Sequence, residues 1–219
     1  MKLGKYARDL RAEVSAVNES KTVKEIVELD AEKPIWDRCF MVAPLVLVGT
    51  RDEDGSLDLA PKHMAFPMGW QNYFGFVCSP SHLTHINIER TGEFTVSYTR
   101  PSQVLYASLA ASPRYEGGAK TVLQSFPTFP AKKVDGEFIE DAYLFLECKH
   151  HKTIGGFGEN CLITGEVVAA YAHPDYIRSS ELDDQELIHD APLLAYLPPS
   201  RFATITRSNA FPFPAHMKR

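Results

Sequence analysis

The 219-residue sequence predicts a mainly β, antiparallel protein with added helices. Two observations carry that reading. From Pro44 onward, apolar and alternating runs of strand length recur between turn formers, whereas before Pro34 the apolar residues recur at helical spacing. The change in period divides the chain into a helical extension (1–38), a β domain (39–207) and an extended tail (208–219).

In the extension, Leu3, Tyr6, Leu10, Val14 and Val17 form one helical stripe. Asn18-Glu19-Ser20 interrupts it, and Thr22-Val23-Lys24-Glu25 has the pattern of a capping box restarting a short helix through Ile26, Val27 and Leu29. The segment is too short to bury a core of its own, so its expected role is packing on the β domain.

In the β domain, Leu45 to Gly49 is a continuous apolar run, as in a strand buried on both faces, and Asp52-Glu53-Asp54-Gly55 is a hairpin turn. Leu57 to Ala60 alternates and meets Pro61, which cannot donate to a sheet ladder and marks where a strand leaves its neighbours. Lys62 and His63 then emerge at a strand end. Tyr73 to Cys78 is the next strand, ended by Ser79-Pro80-Ser81. A helix should follow, capped by Ser81 or Thr84, burying Leu83, Ile86 and Ile88, and closing at Gly92. Phe94, Val96 and Tyr98 define a half-buried strand, and residues 101–135 read as a long irregular loop of the kind that borders a site. Residues 144–151 and 161–171 look like closing strands of a barrel. Ser180 to His189 reads as a short helix and Phe202 to Thr206 as a last strand. In the tail, Phe211-Pro212-Phe213-Pro214 is extended and aromatic, suited to dressing a partner or a pocket, or else disordered.

Several classes are disfavoured. A net charge of −5 argues against a general nucleic-acid or membrane-surface role. No apolar run approaches a membrane span, and the polar start MKLGKYARDLRAE lacks a secretory apolar core, so the expected location is the cytoplasm. Cys39, Cys78, Cys148 and Cys161 are scattered and read as reduced thiols. Eight histidines invite a metal, but His82 and His85, or His150 and His151, make no closed ligand set, and no metal is expected. Neither a GxSxG elbow nor a Rossmann or P-loop glycine motif is present.

What remains is the stretch from Ser56 to Asn87. A helix start offers free N–H groups and a positive dipole end, and the Ser79, Ser81 and Thr84 hydroxyls around it suit a phosphate; the same residues also serve as ordinary caps. The order Asp58-Leu59-Ala60-Pro61, a strand ending in Ser79-Pro80, Thr84-x-x-Asn87-Ile88 and Gly92-Glu93-Phe94 resembles the flavin reductase-like family of FMN-binding split barrels. The resemblance covers residues 40–206, with Asp58 in place of the usual Asn and Lys62-His63 where Phe-Ser is commoner. It implies an antiparallel split β-barrel of the FMN-binding type, a homodimer, and FMN as cofactor with NADH or NADPH as donor.

Carried onto this chain, the resemblance places the phosphate at Ser79, Ser81 and Thr84, with Asn87 toward the ribityl chain. Ala60, Pro61, Lys62, His63 and Met64 supply backbone donors and charge to the ring, and Cys78 borders it. Lys62 reads equally as a solvated lysine and His63 as a satisfied pocket histidine. Many short reductases of the family carry Gly-Asp-His before the late strand; here the residues are Gly158-Glu159-Asn160, so His63 and Asn160 are the candidate catalytic groups. Asn160 hydrogen-bonds but carries no proton charge. The expected function is hydride transfer from NAD(P)H to flavin N5, with free flavin or an electron-acceptor protein downstream. An FMN-holding electron carrier or sensor, and a barrel that has lost flavin for another small ligand, remain open.

Overall fold

The computed structural model describes residues 26–114, 120–179 and 181–212. It divides into two units, 1–39 and 40–219. In the first, the stripe through Leu3 to Val17 and the capping box Thr22 to Glu25 lie outside the described residues. Ile26 to Leu29, expected to continue a helix, is not helical. The segment turns twice, with Lys33 N donating to Asp30 O at 3.3 Å and Arg38 N to Ile35 O at 3.0 Å. Ile26 and Val27 are 87% and 77% exposed, so in the described part nothing buries the apolar side that would favour a helix.

The second unit is mainly antiparallel β. Strands β1 (Val46–Arg51), β2 (Leu57–Lys62), β3 (Ala65–Pro67), β4 (Tyr73–Cys78), β5 (Glu93–Tyr98), β8 (Leu144–Phe157) and β9 (Asn160–Ala172) form one sheet in the order β2-β1-β5-β8-β9-β4-β3. Its two edges are consecutive in the chain. Only His63 and Met64 separate β2 from β3, so one bent segment closes the sheet into a split barrel. Pro61 sits where β2 meets no further neighbour, as its missing donor requires.

Strand β1 is buried on both faces. Val46 and Val48 face the barrel interior with Phe74, Phe76, Phe94, Val96 and Ile163, while Leu45 and Leu47 face a second core with Leu59, Phe138 and Phe145. Gly49 is required by close approach: a Cβ there would lie 2.3 Å from Thr95 Oγ1 and 2.9 Å from the Glu137 carbonyl. The predicted hairpin closes as expected, with Asp52 N donating to Ser56 O at 2.9 Å and Gly55 at φ 82.

The second core is capped by regular elements within 101–139, most of which the sequence predicts as irregular loop. After Pro101–Gln103, α2 (Val104–Ala110) buries Ala107 and Ala110; a 3-10 turn at Thr121–Ser125 and the pair β6 (Thr128–Pro130) and β7 (Glu137–Ile139) complete the layer. Helix α2 has no charged residue and only seven residues, too short to show a helical period, so tertiary burial decides it. Buried Glu147 anchors the next loop, accepting hydrogen bonds from the amides of Lys132, Lys133 and Val134 and from the Tyr171 hydroxyl. Burial alone would raise its pKa, but these donors hold the carboxyl below its ordinary range.

The predicted helix after β4 is α1 (Leu83–Thr91), ended by Gly92 at φ 71. Its inward face is Thr84, Asn87 and Ile88. Ile86, 46% exposed, falls opposite this face, and Leu83, 37% exposed, lies at its edge in the first turn. The N-cap is His82, with no side-chain capping bond, rather than Ser81 or Thr84. At the end of the chain, α3 (Asp184–Asp190) and the hairpin β10 (Leu193–Leu197) and β11 (Arg201–Ile205) form a lobe, with Ser208 donating to Gln185 of α3. Among the described residues no helix is long and apolar enough to cross a membrane.

Candidate functional site

The end of β2 stands between two clefts. A strand sends successive side chains to opposite sides, so Lys62 lines one and His63 the other, with Pro61 in both.

The Lys62 side is a cleft of about 490 Å³ between β2, the start of α1 and the end of α2. Ala60, Pro61, Ser81, His82, Thr84, Arg114 and Lys120 line it. Asp58 lies buried beneath, with one carboxylate oxygen 2.9 Å from Arg114 Nη2 and 3.0 Å from Lys120 Nζ. Neither contact is aligned as a hydrogen bond, so Asp58 acts as a counter-charge. Arg114 also grips Asp52, at 2.8 Å and 3.3 Å, and Lys120 donates to the carbonyls of Leu59 (3.1 Å) and Ala110 (3.0 Å). Two carboxylates thus fix two cations. Lys62 meets no carboxylate among the described residues; its ammonium lies 3.4 Å from Cys78 Sγ and 5.9 Å from the Phe76 ring centre. The charge of the cleft is felt at His82, whose pKa is lowered by burial and then by Lys62 and Lys120.

The helix start points the same way. The first-turn amides of Leu83 and Thr84 find no acceptor among the described residues, as expected of a helix without a side-chain cap. Ser79 and Ser81 bond each other through their hydroxyls at 2.9 Å. Asn87 turns away: its amide donates to Thr50 Oγ1 at 3.1 Å and Asp52 Oδ1 at 2.7 Å, bracing the β1 end that holds Arg114.

A second set of free donors lies at the bend. The amides of His63 and Met64 have no acceptor among the described residues, while the Met64 carbonyl accepts from Val77 N at 2.9 Å and its side chain is exposed. The His63 ring packs 5.1 Å from the Tyr196 ring, and burial, then the charge of Lys62, lowers its pKa. Asn160 is exposed at the β8–β9 tip, opposite Phe157 and one residue past the cross-strand pair Cys78 and Cys161.

The structure therefore brings Ala60, Pro61, Lys62, Ser81 and Thr84 into one cleft, with Cys78 against Lys62 and Ser79 against Ser81. It sets His63 in the second cleft and keeps Asn87 in a structural bond network. Arg114 and Lys120 were missed by sequence reasoning. Each is one ordinary cation in a loop-rich segment, and only their shared contact with Asp58, some sixty positions upstream, makes them part of the site.

The residues present fit FMN. A phosphate would find the Leu83 and Thr84 amides beside Lys62, which meets no carboxylate among the described residues, and the polar edge of a flavin ring would find the His63 and Met64 amides.

Solved structures of similar fold include 2-nitrobenzoate 2-nitroreductase of Pseudomonas fluorescens, at 20% identity over 90% of this chain and 99% of that one, TM-score 0.70. Flavoredoxin of Desulfovibrio vulgaris (Miyazaki F) is 20% identical over 87% of this chain and 100% of that one, TM-score 0.70. An FMN-binding protein of Thermus thermophilus is 18% identical over 85% and 100%, TM-score 0.68. At such identities the likeness shows the fold. The family described as flavin reductase like domain matches residues 38–196, which take in all seven strands of the barrel and the Lys62 cleft, and the chain belongs to that family.

Proposed function

We propose that the protein is a flavoprotein oxidoreductase that holds FMN in the Lys62 cleft and takes hydride from NADH or NADPH. The observation that carries this reading is the pairing of two sets of donors unused among the described residues, at the start of α1 and at the bend between β2 and β3, flanking Lys62, which meets no carboxylate among those residues. The family match, and the flavin-related names of the similar structures, support it.

When bound, FMN supplies the hydride-accepting N5 and the redox chemistry. The chain supplies position and charge. The Leu83 and Thr84 amides and Lys62 hold the phosphate, and Asp58 keeps Arg114 and Lys120 as fixed walls. The His63 and Met64 amides orient the polar edge. With its pKa lowered, His63 stays neutral at pH 7 and acts as a hydrogen-bonding, aromatic neighbour.

A second reading, an FMN-holding electron carrier reduced by a protein partner, is favoured by Asn160: the hairpin residue at this place has no proton to give and stands open to solvent. The two separate in one titration. FMN added to the purified protein should perturb the flavin absorption bands, and anaerobic NADH or NADPH should then bleach them. Perturbed bands that persist with both nucleotides would select the carrier, and unperturbed bands would reject flavin binding, leaving the barrel for another ligand.

We further propose a homodimer. Phe66 on β3, Trp70 in the β3–β4 turn, and Ile154 and Phe157 near the β8–β9 tip are between 41% and 99% exposed in one sheet. Sedimentation at micromolar concentration tests this, and a monomer would reject it.

A further inference from the structure

We propose that the cleft on the His63 side is a binding site for small aromatic carboxylates, with the ring between His63, Tyr196 and Phe202 and the carboxylate on Arg201. The cavity measures about 400 Å³. Its floor is Leu45, Val104 and Ala107, and the His63 and Tyr196 rings stand 5.1 Å apart at 47° as one wall. The Tyr196 hydroxyl donates to the Pro199 carbonyl, which locks that ring in place. These faces suit a flat, polarisable ligand.

The rim is polar in one sense only. Ser108, Ser200 and Arg201 line it, none of their side chains has a hydrogen-bond or ion-pair partner among the described residues, and among those residues no carboxylate lines the cavity. Arg201 is therefore a planar donor fork with its charge unanswered among the described residues, matched to a carboxylate. The lowered pKa of His63 leaves the anion to Arg201 at neutral pH. A phosphate ester has the better site next door, where Lys62, Arg114, Lys120 and free helix amides converge. Pro61 and Ala111 border both clefts, so a ring held here lies against the same strand end as a bound cofactor. The proposal goes beyond the flavin reading without depending on it, since Ser108, Ser200 and Arg201 line only this cavity.

Calorimetric titration of the full chain with benzoate and with its neutral isostere benzamide tests it, in the wild type, Arg201→Gln and Lys62→Ala. Benzoate should bind once per chain, benzamide at least about tenfold more weakly, and Arg201→Gln should weaken benzoate by about tenfold or more without moving the melting temperature. Lys62→Ala should weaken FMN and leave benzoate unchanged. Equal binding of benzoate and benzamide, unchanged affinity in Arg201→Gln, loss of benzoate with Lys62→Ala, or no heat with benzoate at about 10 mM would each overturn the proposal. Because FMN is followed separately by its absorption, failure of one reading leaves the other's result intact.

Discussion

The two clefts meet at one strand end and are built on opposite principles. The Lys62 side is ionic and internally balanced: Asp52 and Asp58 hold Arg114 and Lys120 in place, leaving Lys62 and the backbone amides to meet an anion. The His63 side is aromatic and apolar, with one guanidinium at its rim, that of Arg201, which meets no carboxylate among the described residues. The difference shows how a strand's period of two lets consecutive residues serve unlike chemistry. It also shows that a buried charge array needs its own counter-charges, whereas an aromatic pocket needs only shape.

Removing the counter-charge should have the largest effect. In Asp58→Ala, Arg114 and Lys120 lose their shared buried carboxylate, and stability should fall by about 3 kcal/mol in urea unfolding. An unchanged midpoint would mean that the array does not depend on Asp58. A middle effect is expected from Lys62→Ala: FMN should bind about ten- to a hundredfold more weakly, for a charge-assisted contact of about 1.5–3 kcal/mol. Thermal stability should hardly move, because Lys62 meets no carboxylate among the described residues. A comparable loss of stability would turn Lys62 into a packing residue.

The smallest effect links the two sides. The imidazole of His63 should titrate below its ordinary 6.5 by NMR, because burial and then Lys62 disfavour its charged form. For a histidine whose folded pKa is depressed, lowering the pH below the unfolded value costs stability, so His63 contributes to acid sensitivity and nothing above neutrality. In Lys62→Ala the midpoint should rise yet stay below 6.5, since burial is the larger cause. A midpoint that does not respond would show the clefts to be electrically independent.

How far the sequence could be read differs between these regions. The Asp52–Gly55 hairpin, the doubly buried β1, the strand end at Pro61 and the helix stop at Gly92 were legible because each is set by neighbours in the chain. The orientation of α1 was not. Its apolar residues suggest Leu83, Ile86 and Ile88 as the buried side; Ile88 is buried, but the helix turns polar Thr84 and Asn87 inward beside it, where Asn87 finds Thr50 and Asp52. Helix α2, likewise, forms on a core supplied by Leu45, Leu59 and Phe138 from elsewhere in the sequence.

By itself the sequence determined most of the barrel strands and the turns between them, the exit of Lys62 and His63 at a strand end, and the family motifs around them, because period and turn chemistry act over a few residues. Only the tertiary structure decided that Arg114 and Lys120 join Lys62 across the cleft, that Asn87 braces β1, and that Tyr196 and Arg201 come to stand beside His63. Those meetings depend on barrel closure and on where the last hairpin packs. Contacts between segments so far apart in the chain are fixed by the burial of the whole core, which no local pattern records.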